Sequence, residues 1–213
     1  MNILSINRGS QRTVIRNHSE YITGIYKEPV AGPVEITPLG LAGDVIADQE
    51  HHGGPDQAVY VYGQVDYDGW AQTLGDRIRP GLFGENLTIS GLESGTFNIG
   101  DQLLIGEVIL QVTAPRYPCA KFAARMNDPE FVKKFRNAER PGLYCRVLNA
   151  GSVSVGQLVK LERYQGETVS LLEMYRDHYH PDKSEAGLRR FLDAPIDLRT
   201  RAHMEKILAE VAG

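Results

Sequence analysis

Hydrophobic and polar positions alternate with a period of two through much of the first 164 residues, which is the mark of half-buried strands. Residues 2–7, 21–26 and 107–113 alternate cleanly. Residues 34–38, 58–62, 86–90, 102–105, 143–148 and 157–164 are further short apolar or β-branched runs. Gly and Pro punctuate them, as at Gly32-Pro33, Gly53-Gly54-Pro55, Pro80-Gly81 and Pro141-Gly142. Many short strands separated by turn signals predict a sandwich or a barrel.

The period changes to the helical one at three places. Residues 65–74 carry Tyr67, Trp70 and Leu74 at helical spacing, interrupted by Gly69. Asp128-Pro129-Glu130 reads as a helix start ahead of Phe131, Val132 and Phe135, with Asp as cap and Pro at the first helical position. After Tyr164 the chain is helical throughout. Leu171, Leu172, Met174, Tyr175 and Tyr179 mark one helix, Leu188, Phe191 and Leu192 a second, and Leu198, Met204, Ile207, Leu208 and Val211 a third. Asp182-Lys183-Ser184-Glu185 resembles a capping box for the second. The expected division is a β-rich domain, 1–164, and a three-helix domain, 165–213, whose small core needs the first domain or a partner to pack on.

Composition narrows the function. The 213 residues are 42% hydrophobic, with 22 Gly and 11 Pro and a formal charge of −4. That suits a turn-rich globular fold. With no basic excess, nucleic-acid binding is not expected. No apolar run approaches the ~20 residues that cross a bilayer. The first eight residues lack a basic region and a long apolar run, so a cytoplasmic protein is the expectation. Two cysteines in such a compartment argue for thiols rather than a disulfide.

One of them stands out. Cys119 follows the strand 107–113 and the run Ala114-Pro115-Arg116-Tyr117-Pro118, and it precedes Ala120-Lys121-Phe122 at the opening of a short helix. Pro118 suits a first helical position, which puts Cys119 in the first turn. Arg116 and Lys121 add positive charge close by. Such surroundings lower a thiol pKa and make a thiolate available as nucleophile or metal ligand. An inert small apolar cysteine is the alternative, and Cys145, between Leu143 and Val147, is read that way. The loop Asp48-Gln49-Glu50-His51-His52-Gly53-Gly54-Pro55-Asp56 is dense in Gly, Asp and His. Gly53 and Gly54 allow close backbone approach to a ligand. Asn86 at a strand start suits a polar ligand or local backbone groups. Lys27 and Arg8 stand at strand ends. The P-loop, dinucleotide, serine-hydrolase and zincin motifs are all absent.

In order, Thr23-Gly24-Ile25-Tyr26-Lys27-Glu28-Pro29-Val30, Gly40-Leu41-Ala42-Gly43-Asp44, His52-Gly53-Gly54-Pro55-Asp56-Gln57-Ala58-Val59, Phe83-Gly84-Glu85-Asn86-Leu87-Thr88, Ile99-Gly100-Asp101 and Pro115-Arg116-Tyr117-Pro118-Cys119 resemble the MOSC domain, named for the molybdenum-cofactor sulfurase C-terminal domain. Within it they resemble the bacterial YiiM-type subfamily. Tyr179-His180-Pro181-Asp182-Lys183 and Gly187-Leu188-Arg189-Arg190 are similar to the three-helix domain that follows. The resemblance implies a β-barrel followed by helices, with Cys119 as ligand to molybdenum of a pyranopterin cofactor. It implies a reductase of N-hydroxylated compounds such as purine base analogues, fed by an external flavoprotein electron donor, and it allows a homodimer. Asn86 and His52 then join Cys119 at the reacting centre. Lys27, Arg8, Gly53, Gly54, Asp56, Arg116 and Lys121 are the expected cofactor contacts. Two positions depart from the family: Ala120 where Trp is common and Gln57 where Lys is common. The competing functions are a persulfide sulfur carrier using Cys119 and a non-catalytic barrel that binds a pterin or another anion.

Overall fold

The structure, a computed structural model, describes residues 1–16, 19–47 and 53–211. Its strands are β1 (Ile3–Gly9), β2 (Arg12–Arg16), β3 (Ser19–Thr23), β4 (Lys27–Pro29), β5 (Val34–Thr37), β6 (Gly40–Leu41), β7 (Val59–Gly63), β8 (Leu87–Ile89), β9 (Gln102–Ile105), β10 (Val108–Pro115), β11 (Leu143–Asn149), β12 (Gly151–Val153) and β13 (Lys160–Glu162). Eight of them form one sheet in the order β13-β9-β10-β11-β7-β8-β1-β4. Within it, β7 and β8 run parallel and the other neighbours antiparallel.

The sheet closes on itself. Ile3 N donates to Gln157 O at 3.0 Å, Gly156 N to Ile3 O at 2.8 Å and Val159 N to Met1 O at 2.9 Å. The segment leading into β13 therefore lies along the first half of β1, removing an edge that would otherwise expose unpaired backbone. A barrel is the result, with the strand runs read from alternation supplying most of its wall. Along β10, Val108, Leu110, Val112 and Ala114 all point into the core and are at most 1% exposed. Thr113, on the opposite face, is buried too, because the C-terminal helices cover that side.

The helices are α1 (Gln64–Asp68), α2 (Ala71–Leu74), α3 (Ala120–Arg125), α4 (Phe131–Ala138), α5 (Leu171–Asp177), α6 (Glu185–Asp193) and α7 (Leu198–Val211). The single helix expected over 65–74 is two, broken at Gly69, where a Cβ would stand 2.2 Å from Arg140 Nε. The helix after Asp128 begins at Phe131. Asp128 instead holds the preceding turn, accepting from Glu130 N at 3.0 Å. Ser184, not Asp182, caps α6 by accepting from Gly187 N at 3.1 Å. The run expected over 21–26 is strand only to Thr23, where β3 ends, and β4 does not begin until Lys27.

Two cores position the site. The larger fills the barrel and continues without a break into Leu171, Met174, Leu188, Phe191, Ile196 and Met204 of the C-terminal helices. The smaller is aromatic: Tyr60, Tyr62, Tyr67, Trp70, Phe83, Phe122, Phe131 and Phe135 pack beneath α3. Phe83 is at its centre, stacked on Tyr62 with ring centroids 4.6 Å apart. Phe122 meets Phe131 and Phe135 edge to face at 5.3 and 5.0 Å. Each such pair adds ~1 kcal/mol beyond burial, so α3 rests on a rigid floor despite its short length.

Candidate functional site

A cleft opens between the turn after β3, the 44–47 segment, the start of β7 and the loop before α3. Its lining includes Lys27, Gly53, Asn86, Arg116, Cys119 and Lys121, six of the residues singled out from the sequence. The remaining candidates divide. Arg8 turns away and donates from Nη1 to Ala42 O at 3.0 Å. Asp56 ties the barrel to the C-terminal helices: its Oδ1 lies 3.0 Å from Arg146 Nε and its Oδ2 accepts from Leu198 N at 2.8 Å. Gly54 is outside the lining, at φ 82°, and a Cβ there would meet no described atom within 4 Å. His52 lies outside the described residues.

Close backbone approach builds the cleft wall. A Cβ on Gly9 would stand 2.1 Å from Gly24 O, and one on Gly24 would stand 1.8 Å from Val45 O. Only glycine fits either place. Three chain segments are thereby stacked backbone to backbone, and Val45 N donates to Gly9 O at 3.2 Å. That stack delivers Asp44, which the sequence reading did not single out. Its Oδ1 accepts from Gly9 N at 2.7 Å. Its Oδ2 accepts from Asn86 Nδ2 at 2.8 Å and pairs with Lys27 Nζ.

Lys27 is 7% exposed. Burial pushes its ammonium pKa below the ordinary value, and the Asp44 carboxylate opposes that by pairing with it. Asn86 is fully employed in the same network. Its Oδ1 accepts from Tyr60 N at 3.1 Å, and Nδ2 also reaches Asn7 O at 3.4 Å. The amide also acts as a strut holding β7, β1 and Asp44 together. The next residue back, Glu85, is wholly buried and takes Tyr67 Oη, Gly81 N and Thr88 Oγ1 on one oxygen at 2.7, 2.7 and 2.8 Å.

Arg116 leaves β10 into the base of the cleft. Its guanidinium donates to Phe83 O and lies over Phe122 at 4.2 Å and Tyr60 at 5.1 Å. Despite its burial the guanidinium pKa lies above the ordinary value, so its charge is retained. Burial raises the Tyr60 and Tyr144 phenols, which stay protonated.

Cys119 is half-buried in the lining. It is the cap of α3 rather than part of its first turn. Its backbone is extended at φ −127°, ψ 173°. Its carbonyl accepts from Phe122 N at 3.0 Å and Ala123 N at 3.1 Å. The helix therefore starts one residue after the cysteine and two after Pro118. Cys145, by contrast, is wholly enclosed in the barrel core, where burial pushes its thiol pKa up. The two thiols thus occupy opposite environments, one facing a cleft with cations and one sealed in apolar packing.

Among the described residues the cleft sets Lys27, Arg116 and Lys121 against one carboxylate, Asp44, with a cysteine sulfur on its wall. Among the described residues no cluster of three or more His, Cys, Asp or Glu is arranged to hold a metal ion. One sulfur ligand and an excess of cations suit a centre that brings its own further donors and a negative charge.

The family described as MOSC domain matches residues 48–160. The chain is 35% identical over 205 residues to "Uncharacterized protein YflK" of Bacillus subtilis, covering 96% of this chain and 93% of that one. It is 32% identical over 180 residues to "Protein YiiM" of Escherichia coli, covering 79% and 80%. A protein of Gibberella moniliformis named "Reductase" is 33% identical over 158 residues, covering 72% of this chain but 26% of its own length. Among solved structures, that of YiiM from Geobacillus stearothermophilus superposes with a TM-score of 0.79 at 27% identity, over 97% of this chain and 98% of the other.

Proposed function

This chain belongs to the MOSC domain family, and from that premise we propose that it binds a molybdenum cofactor through Cys119 and reduces N-hydroxylated compounds, N-hydroxylated purine base analogues among them. The observation that carries the reading is the convergence of the Cys119 sulfur with Lys27, Arg116 and Lys121 in one cleft. MOSC domains are associated with molybdenum-cofactor binding, and one relative is named a reductase.

The residues fit the group. A thiolate is a soft ligand suited to a molybdenum centre, and the cations suit an anionic pterin. When bound, the cofactor supplies the electron pair that cleaves the N–O bond: N-hydroxylamine, two electrons and two protons give amine and water. Electrons come from an external flavoprotein reductase. The chain's own residues do the holding. Arg116, fixed by Phe83 O and two rings, presents a charge that burial does not remove. Asp44 pairs with Lys27 at the cleft wall and opposes the loss of its charge on burial. Asn86 maintains the geometry of both. Tyr60 and Tyr144 add flat apolar surface for a conjugated ring.

The test is metal and pterin content of protein purified from a host that makes the cofactor. Both are expected in wild type, with molybdenum lost in Cys119→Ala. Wild-type protein devoid of both overturns the reading. Protein that instead carries added sulfur on Cys119 after treatment with a cysteine desulfurase supports the carrier function in its place.

A further inference from the structure

The C-terminal helices do not close completely on the barrel. A cavity of about 340 Å³ remains between them. Ala114 of β10, Met174 of α5, Leu188 of α6, and Met204 and Ile207 of α7 give it an apolar floor. Cavities of this size at the junction of two packed units are where small molecules bind. Gln57 borders both this cavity and the cleft, so the two are neighbours. Tyr117, two residues before Cys119, is on the wall, stacked on His178.

The polar groups select the kind of ligand. Three carboxylates, Asp177, Asp182 and Asp197, line the cavity with two permanent cations, Lys183 and Arg199, so the described wall does not favour an anion. Asp182 is committed to opening α6, its Oδ1 accepting from Ser184 N at 2.9 Å. Arg199 donates from Nη1 to Gln57 Oε1 at 3.3 Å, on the side of the cleft. Asp197 differs. It is 3% exposed, and its Oδ1 accepts from Thr200 N at 3.1 Å. Its Oδ2 has no hydrogen-bond partner among the described residues, yet it is not sealed from solvent. The opening it keeps is onto the cavity it lines. Asp177 repeats the arrangement: Oδ1 accepts from Asp182 N at 2.8 Å, and Oδ2 has no partner among the described residues. Burial first, and then Asp197 and Asp177 among its neighbours, push the Tyr117 phenol up, so both carboxylates stand at the Tyr117 end. A buried acceptor without a donor leaves its desolvation cost unmet. Two such oxygens call for N–H groups. The rest of the wall suits a flat ring. The imidazoles of His178 and His203 and the thioethers of Met174 and Met204 are polarisable groups that pack against aromatic faces and edges. Burial lowers the His178 pKa, against the pull of Asp177, which favours a neutral ring for that contact.

We propose that this cavity binds an amino-substituted heteroaromatic base, with N–H groups on Asp197 and Asp177 and the ring against the methionines. The site stands on the geometry of the cavity. Its link to the reaction rests on the functional reading above: reduction of an N-hydroxylated base releases such an amine, and the cavity is a second place, beside the cleft, that recognises the product. Tyr117 connects its occupancy to the Cys119 loop.

The experiment titrates adenine, and purine as the same ring without the amine, into the full chain by calorimetry. Saturable binding of adenine is expected, about tenfold tighter than that of purine, the difference made by one hydrogen bond to a charged group. Asp197→Asn and Asp177→Asn each keep an acceptor for the backbone N–H and remove the carboxylate. Each should weaken adenine about tenfold and leave purine unchanged. Cys119→Ala should bind adenine as the wild type does. No saturable binding, equal affinity for the two bases, or unchanged adenine affinity in both aspartate variants overturns the site. Adenine affinity lost in Cys119→Ala puts the base in the cleft and overturns it too. Asp177 is only half-buried, so its variant keeps the test valid should Asp197→Asn misfold. Adenine binding that depends on these aspartates, in a protein whose native form holds neither molybdenum nor pterin, keeps the site and removes its link to a reductase.

Discussion

Tyr117 and His178 stack ring on ring, with centroids 3.9 Å apart and planes within 23°. Tyr117 also lies parallel to Tyr175 at 5.7 Å and donates from Oη to Met174 O at 3.2 Å. The residue two before Cys119 is thus gripped by α5 and the turn after it. The C-terminal helices and the candidate ligand loop form one mechanical unit.

Loosening that grip should expose Cys119. Tyr117→Ala is expected to raise the rate of Cys119 alkylation by roughly tenfold, equivalent to about 1.4 kcal/mol of lost local stability. Tyr117→Phe keeps the stack and should raise it less than about threefold, for loss of one neutral hydrogen bond. Timed iodoacetamide labelling read by mass spectrometry checks this, with the buried Cys145 as the internal control. Equal rates in wild type and Tyr117→Ala would mean that the loop is held elsewhere.

Removing Asp44 should be worse than removing Lys27. Asp44→Ala leaves a buried ammonium unpaired and Asn86 Nδ2 with one acceptor fewer, and is expected to cost about 3–5 kcal/mol. Lys27→Met removes the buried charge and keeps an apolar chain in the place of the methylene stem. It is expected to cost less than about 2 kcal/mol. Urea denaturation of both variants decides the order. The sign of the pH effect follows from the lowered Lys27 pKa. A lysine depressed on folding favours the neutral form. Its contribution to stability is therefore complete above the unfolded value of 10.5 and declines as pH falls through the folded value.

How much of this was legible follows the same physics. Strand runs were visible because alternation is a local property, and the order of motifs named the family. Cys119, Arg116 and Lys121 were readable because they are neighbours in sequence. Asp44 was not. Its importance comes from glycine at 9 and 24 letting three distant segments touch, and nothing local distinguishes those glycines from turn glycines. Asp56 misleads for the complementary reason: its proximity to Gly53-Gly54 in sequence suggests the cleft, yet its partners are Arg146 and Leu198 N, far along the chain. Asn86 lines the cleft as expected, and its amide is shared with Tyr60 N and Asp44, a structural duty that its place at a strand start did not show.

The glycine stack gives a sharp mutational test. Gly24→Ala forces a Cβ to within 1.8 Å of Val45 O, a backbone atom with no rotamer to yield. The 44–47 segment must move, taking Asp44 from Lys27. Overpacking of this kind costs typically about 1–3 kcal/mol. Gly54→Ala meets no described neighbour within 4 Å and suffers from its backbone at φ 82°, ψ 173°, a glycine region that costs another residue about 1–3 kcal/mol. Ligand content should therefore collapse in Gly24→Ala and survive in Gly54→Ala, even where their melting temperatures fall comparably. Parallel loss in both would remove the stack's special role.

Asp66 supplies a pH signature remote from the cleft. It lies in the first turn of α1, is 1% exposed, and accepts from Ser94 N at 3.0 Å through Oδ2. Burial raises its carboxyl to about 6 from 3.8, against the Ser94 bonds and the Arg140 charge. A carboxyl raised on folding favours the protonated form. Its contribution is fully present below the unfolded pKa and is lost as pH rises from about 4 through about 6. The size is about 3 kcal/mol at most, since each pH unit between the unfolded and folded values is worth roughly 1.4 kcal/mol. Asp66→Asn keeps one acceptor for Ser94 N and does not ionise. The difference in unfolding free energy between wild type and Asp66→Asn should therefore move toward the variant by up to that amount between about pH 4 and about pH 7, and stay flat above. A constant difference across this range would place the Asp66 carboxyl in a better-solvated or better-compensated site than its burial implies.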